Sequence, residues 1–147
     1  MPITHRIDHS LKIVFAAGIG VMTDADAFGY QNEVWSRKDI EGFSEFIDMT
    51  AVERIALPST ERVRDLAALS ARMDVGPGPA KLAVVAPDDY AFALGRMFQA
   101  HRELDRGSRK EVGIFRTHRE AAAFLGLPEE TVAAAAAELV ARVASSS

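Results

Sequence analysis

Residues 81–86 read KLAVVA, an almost unbroken apolar run set between the GPGP of Gly76 to Pro79 and Pro87. So short an apolar run between chain breakers reads as a strand covered on both faces, the pattern of a central strand in a parallel sheet. Parallel neighbours cannot be joined by a tight turn, so helical crossovers are expected on either side. Downstream, Pro87, Asp88 and Asp89 open a helix with Tyr90, Leu94, Met97, Phe98, His101 and Leu104 along one side. EVGIF at 111–115 is a short strand, and Thr117 with Glu120 makes a T-x-x-E capping box for a helix that Gly126 ends. Pro128, Glu129 and Glu130 then start a last helix, whose Val132, Leu139, Val140 and Val143 form a narrow stripe on an alanine background. Two readings of that helix stay open: it lies over the outside of the domain, or it mediates dimerisation.

Upstream the same alternation continues. A helix over about 59–73 carries Val63, Leu66, Ala67, Ser70 and Met73 on one side. FSEFIDMTAV at 43–52 alternates Phe43, Glu45, Ile47, Met49 and Ala51 with Ser44, Phe46, Asp48, Thr50 and Val52, which predicts a strand. Before it, Thr23 with Asp26 three residues on approximates a capping box for a helix striped by Ala27, Phe28, Gln31, Val34 and Trp35. LKIVFAAGIGV at 11–21 predicts a strand, joined through His9 and Ser10 to a shorter one near Ile3 to Ile7. The order is β-β-α-β-α-β-α-β-α-α. It predicts an α/β fold: a small mixed, mostly parallel sheet of about five strands with an opening hairpin, helices packed on it and an extra C-terminal helix. The crossover helices share one hand and are expected to cover one face. The domain is placed at 1–127, with the alanine-rich helix and tail at 128–147 packed on or extending from it.

Composition narrows the function classes. A length of 147 residues, 48% of them hydrophobic and 26% charged, fits one globular core. No apolar run approaches the roughly 20 residues that span a bilayer, and Met1 to Ser10 lacks an apolar signal core, so a soluble cytoplasmic protein is expected. The absence of cysteine removes disulfides, thiolate metal sites and cysteine nucleophiles, and fits a reducing compartment. A net charge of −4 argues against a general nucleic-acid binder. The charge is uneven, with eight acids against two bases over 24–53 and seven bases against three acids over 96–119. Such asymmetry steers an anionic partner or a second copy, or else marks solvated helix faces.

The residues that carry chemistry are scattered. Ser59 and Thr60 open a helix, where an anion or a phosphorylated hydroxyl meets free N–H groups and where plain capping needs the same residue types. Asp88 and Asp89 follow a strand, the usual place for functional groups in α/β proteins, and equally suit a cap. Tyr30 and Phe92, the latter beside Arg96, fall off the apolar stripes of their helices and mark a pocket rim or interface if they cluster. Arg102, Arg106, Arg109 and Lys110 run from a helix C-terminus into a loop, where cations complement the dipole or bind an anion. The four histidines show no zinc spacing, and Gly18-Ile19-Gly20 lacks the third glycine of a dinucleotide loop. No catalytic residue, metal or cofactor is assigned.

With that order in view, IDMTAVERIALPSTERV at 47–63 resembles the central segment of STAS domains, the module of sulfate-transporter tails and anti-sigma-factor antagonists. KLAVVAPDDYAFALGRMFQAHREL and SRKEVGIFRTHREAAAFLGL are similar to parts of the bacterial SpoIIAA-like proteins that share the fold, and the resemblance runs over roughly 3–127. It implies that Ile47-Asp48-Met49 stands in the strand leading to a phosphorylatable loop, and that Leu57-Pro58-Ser59-Thr60 stands in the loop. The loop's Asp is replaced by Leu57, or by Ala56 in a register one residue earlier, and its Gly by Thr60 or Glu61. The implied function is a non-enzymatic regulatory or protein-interaction module, acting on a protein partner or as a homodimer. The layout also resembles lipid-binding modules, which implies the alternative of a carrier for a small anionic or lipid-like ligand. That alternative calls for a cavity of several hundred cubic ångströms lined by Phe, Met and Trp. An enzyme would instead gather Asp88, Asp89 or His101 in one cleft.

Overall fold

The computed structural model describes residues 2–76, 78–105 and 109–146; Pro77 of the spacer, Arg106 and Ser147 fall outside them. Among the described residues five strands form one sheet in sequence order, β1 (Ile3–Asp8), β2 (Ile13–Thr23), β3 (Ser44–Ala56), β4 (Ala80–Val85) and β5 (Lys110–Phe115). β1 and β2 make the expected antiparallel hairpin, and every later pair is parallel. The helices are α1 (Asp24–Trp35), α2 (Glu61–Arg72), α3 (Asp89–Leu104), α4 (His118–Leu125) and α5 (Glu129–Ser146). Strand β3 runs to Ala56 and not only to Val52, because Arg54, Ile55 and Ala56 keep their pairing with Val21, Met22 and Thr23 of β2.

Register decides which side chains share a face. The row Ala16, Ile47, Val84, Ile114 lies across β2 to β5 on one side, and Phe15, Phe46, Ala83 lies on the other. The first face meets the crossover helices: Val14 and Ala16 pack with Tyr30, Val34 and Trp35 of α1, while Leu82, Val84, Val112 and Ile114 pack with Phe92 and Phe98 of α3. All three crossovers, α1, α2 and α3, therefore lie on one side, as a shared hand requires. The opposite face holds Ile13, Phe15 and Phe46 against Ala121 and Ala122 of α4 and Val132, Ala135, Ala136 and Leu139 of α5. The alanines of α5 are themselves packing surface, since their short side chains let the helix close onto the strands.

The caps at both ends of the chain follow the sequence. Thr23 accepts from the N–H of Asp26 while Asp26 reaches back to the N–H of Thr23, and Thr117 accepts from Glu120. Gly126 ends α4 in the left-handed region, φ 73°, where a residue with a side chain is strained.

Helix α3 keeps Leu94 and Phe98 of its expected stripe against the sheet but is turned so that the two ends of that stripe lie outside. Tyr90 and Leu104 are 52% and 79% exposed, while Ala91, Leu94 and Arg102 are buried. The cause is the small residue at Gly95, where an added Cβ would lie 2.9 Å from Cγ2 of Ile114. Close approach to β5 selects the Ala91–Gly95–Phe98 side, and Tyr90 and Leu104 are left outside.

One titration is built into β1. His5 sits edge-on to Tyr30, and burial, helped by Arg37, holds its imidazole below the ordinary value of 6.5. A depressed folded-state value means the unfolded chain takes the proton more readily, so His5 contributes stability above pH 6.5 that is lost as pH falls through its folded value. Urea unfolding between about pH 7 and 5 should show stability dropping toward acid in the wild type and a shallower slope in His5→Gln.

Candidate functional site

Between the first sheet face and α1, α2 and α3 lies a cavity of about 150 Å³. Ala16 on β2, Ala27 on α1 and Ala91 and Gly95 on α3 face it from separate elements, and side chains that small cannot fill the space among them. The larger walls are apolar, with Phe28, Ile47, Met49, Leu66, Val84 and Phe98 among them. Thr23, Asp24, Leu57 and Arg62 line it too and are partly exposed, so it meets the surface at the C-terminal ends of β2 and β3. Ligands of open α/β sheets enter at that end.

Arg62 crosses the mouth. Its Nε donates to Asp24 Oδ2 at 2.8 Å and its Nη1 to Asp65 Oδ2 at 3.3 Å, and the guanidinium lies 4.2 Å from the centre of the Phe28 ring. The first turns of α1 and α2 are tied together by this one side chain.

The opposite end is sealed by buried polar groups. Glu45 projects from β3 and accepts from Tyr30 Oη at 2.6 Å and Trp35 Nε1 at 2.9 Å, with Lys110 Nζ 3.8 Å from its other oxygen. Lys110 also stands 3.3 Å over the Trp35 ring. Behind them Arg102 donates to Ser70 Oγ at 2.7 Å and Asp74 Oδ2 at 3.0 Å, and the N–H groups of Arg109 and Lys110 close on the same carboxylate oxygen. Burial pushes the Tyr30 phenol well above its ordinary value, with the Glu45 charge adding to it, and burial pulls Lys110 below its own, opposed by Glu45. Opposite charges meet in pairs there, which is how a buried charge is tolerated.

The residues singled out in the sequence do not gather at one place. Tyr30 is 8% exposed and belongs to the polar seal, so it is no surface rim. Phe92 packs in a different cluster, under the Arg116 guanidinium, and the two aromatics do not meet. Arg96 is exposed. Arg102 is 1% exposed, so it neither completes a helix dipole in solvent nor meets a soluble anion. Lys110 is likewise drawn inside, and Arg106 lies outside the described residues. Asp88 caps α3 by accepting from Ala91 N–H, and Asp89 pairs in solvent with Arg116 at 2.6 Å. His101 is a little over three turns further along α3, about 18 Å at the helical rise, so these three groups share no cleft.

Ser59 and Thr60 are exposed, and Thr60 is itself helical in φ and ψ and makes no side-chain cap, so the capping reading of this turn fails for it. Asp48 is buried on the opposite face of the sheet. It accepts from Thr50 Oγ1 at 2.6 Å and lies 3.0 Å from His118 Nε2 at the start of α4, a pairing across 70 residues that the sequence reading did not find. Among the described residues no three His, Asp or Glu side chains gather as a metal site, and no helix is long and apolar enough to cross a membrane.

Two signals for this site were available in the sequence. Glu45 falls on the apolar phase of its strand, and Gln31 and Ser70 fall within the inward stripes of α1 and α2. A polar residue on a buried phase needs a partner or has a use.

No family model and no curated protein sequence matches the chain. The structure is similar to the crystal structure of an uncharacterized protein from the DUF3478 family with a SpoIIAA-like fold, from Shewanella loihica PV-4. The two share 15% sequence identity over 84% of this chain and 93% of that one, with a TM-score of 0.54. Identity that low speaks to the arrangement of strands and helices alone. With an opening hairpin, three same-sided crossovers and this structural likeness in agreement, the chain is an α/β domain of the SpoIIAA-like fold.

Proposed function

We propose that the domain is a non-enzymatic binding protein of the cytoplasm whose cavity between sheet and helices holds a small, largely apolar ligand. The observation that carries this reading is the cavity itself. Protein interiors rarely keep spaces larger than a water molecule, and here an apolar space of 150 Å³ stays open between sheet and helices. A ligand that fills it takes that apolar lining out of water. The dimensions select a compact occupant: the volume is below the several hundred cubic ångströms that a lipid calls for, and Trp35 sits in the polar seal and not in the lining. A dry engineered cavity of this size in another protein takes benzene, so a single ring or a short alkyl group matches it.

The alternative of a partner-binding module finds support in the Ser59 and Thr60 turn, where exposed hydroxyls stand free of capping duty at Thr60. Self-association has less behind it. The exposed large apolar residues are spread from Leu11 in the hairpin turn to Tyr90 and Leu104 at the two ends of α3.

The cavity reading is tested with Val84→Phe, which places a ring in the space between β4 and α3. Cavity filling should leave stability unchanged or raise it by about 0.5–2 kcal/mol. Toluene, which should raise the melting temperature of the wild type in proportion to its occupancy, should leave the variant's unchanged. Equal shifts in both proteins would remove the reading.

A further inference from the structure

Resting on that cavity reading, we infer that the ligand is a neutral molecule with one hydroxyl, an alcohol or phenol in chemical class, and that the Gln31 amide recognises it. Gln31 is 7% exposed and lines the cavity. Its Nε2 donates to the Met73 thioether, at 3.7 Å, and no side chain or backbone group among the described residues is seen donating to its Oε1. A thioether is a weak acceptor, so the amide keeps hydrogen-bonding capacity toward the space it lines. The assignment holds whichever way the amide is turned, since the second end then lacks a partner.

Every other polar group facing the cavity is engaged. The Tyr30 hydroxyl donates to Glu45 and accepts from Trp35, Ser70 Oγ accepts from Arg102, and Thr23 Oγ1 caps α1. An anion finds no receptor. Among the described residues Arg62 is the sole basic residue of the lining and is held by Asp24 and Asp65, while Glu45 adds a negative charge at the inner end. The cations behind the wall, Lys110 and Arg102, face Glu45 and Asp74. An amide presents one donor and one acceptor side by side, and a hydroxyl is the smallest group that answers both. A carboxylate only accepts, and would stand near Glu45 unpaid by any free cation.

The test is a calorimetric titration of the full chain with phenol, toluene and benzoate, in the wild type and in Gln31→Met. Gln31→Leu serves as a second variant if the first does not fold. A hydrogen bond gained on binding is worth about threefold to tenfold in affinity. The ratio of phenol to toluene affinity should therefore fall by about that factor in the variant, with toluene affinity held or improved, and benzoate should bind weakest to the wild type. An unchanged ratio, or benzoate as the strongest ligand, overturns the inference while leaving the cavity reading standing. Failure of all three compounds to bind the wild type overturns both.

Discussion

Arg102→Ala should lower the unfolding free energy by about 3–5 kcal/mol, the usual loss when one partner of a buried ion pair is removed. Arg102 is the largest fully buried side chain, and its guanidinium bonds Ser70 and Asp74 at the end of α2 from the last turns of α3. Burial pulls it below its ordinary pKa, opposed by Asp74 and Glu45, so the charge is retained at the expense of hydration. With the side chain gone, the buried Asp74 carboxylate loses the Arg102 guanidinium and keeps the backbone N–H groups of Arg109 and Lys110. The seal would then join α2 to β5 but no longer to α3. Trp35, the single tryptophan, reports the transition in urea, and an unchanged m-value would show that stability and not compactness has moved. Arg142→Ala is the surface comparison: its pair with Glu138 is exposed and spaced i,i+4, and its removal should matter by under about 1 kcal/mol. Equal effects from the two arginines would mean that the interior network contributes no more than surface charge.

Glu45→Leu should be comparably severe, and its recovery is the more informative half of the experiment. The substitution strips the acceptor from Tyr30 and Trp35 and leaves Lys110 buried without its nearest carboxylate. A loss of about 3–5 kcal/mol is expected. In Glu45→Leu/Lys110→Met the uncompensated charge is gone, so much of that loss should return, leaving a deficit of about 1–3 kcal/mol from the phenol and indole groups still without their acceptor. The coupling energy in the double-mutant cycle should be favourable and of the order of 1–3 kcal/mol. Additive losses would show that Lys110 and Glu45 do not act as a pair, against the geometry described.

How far the sequence reaches into this structure depends on what kind of information each feature needs. KLAVVA, the hairpin and the two capping residues Thr23 and Thr117 are local patterns, and they give the strand order and the sidedness of the crossovers. The inward face of α3 is not local. Side-chain bulk ranks Tyr90 and Leu104 above Ala91 and Gly95, but contact with Ile114 rewards the smaller side chains. The fate of Arg102 and Lys110 is less accessible still. A run of bases after a helix looks solvated until the fold brings Asp74, 28 residues before Arg102, and Glu45 to meet them. Periodicity also reports which face is apolar and not the volume left beside it, so the cavity beneath α1, α2 and α3 could not be read from stripes. Gln31 and Glu45 stand out in the sequence as polar residues on buried phases, but which groups surround them is set by the fold.

Where a compact apolar molecule binds is tested most directly by a methyl-resolved 1H–13C NMR titration of the full chain with toluene. Binding in the cavity predicts saturable shifts at Ile47, Leu66, Val84, Leu94 and Ile114, which line it, with Leu139 and Val132 on the far side of the sheet left in place. Shifts centred on Leu139 and Val132, or no saturable shift at any methyl up to the solubility of toluene, would contradict the account.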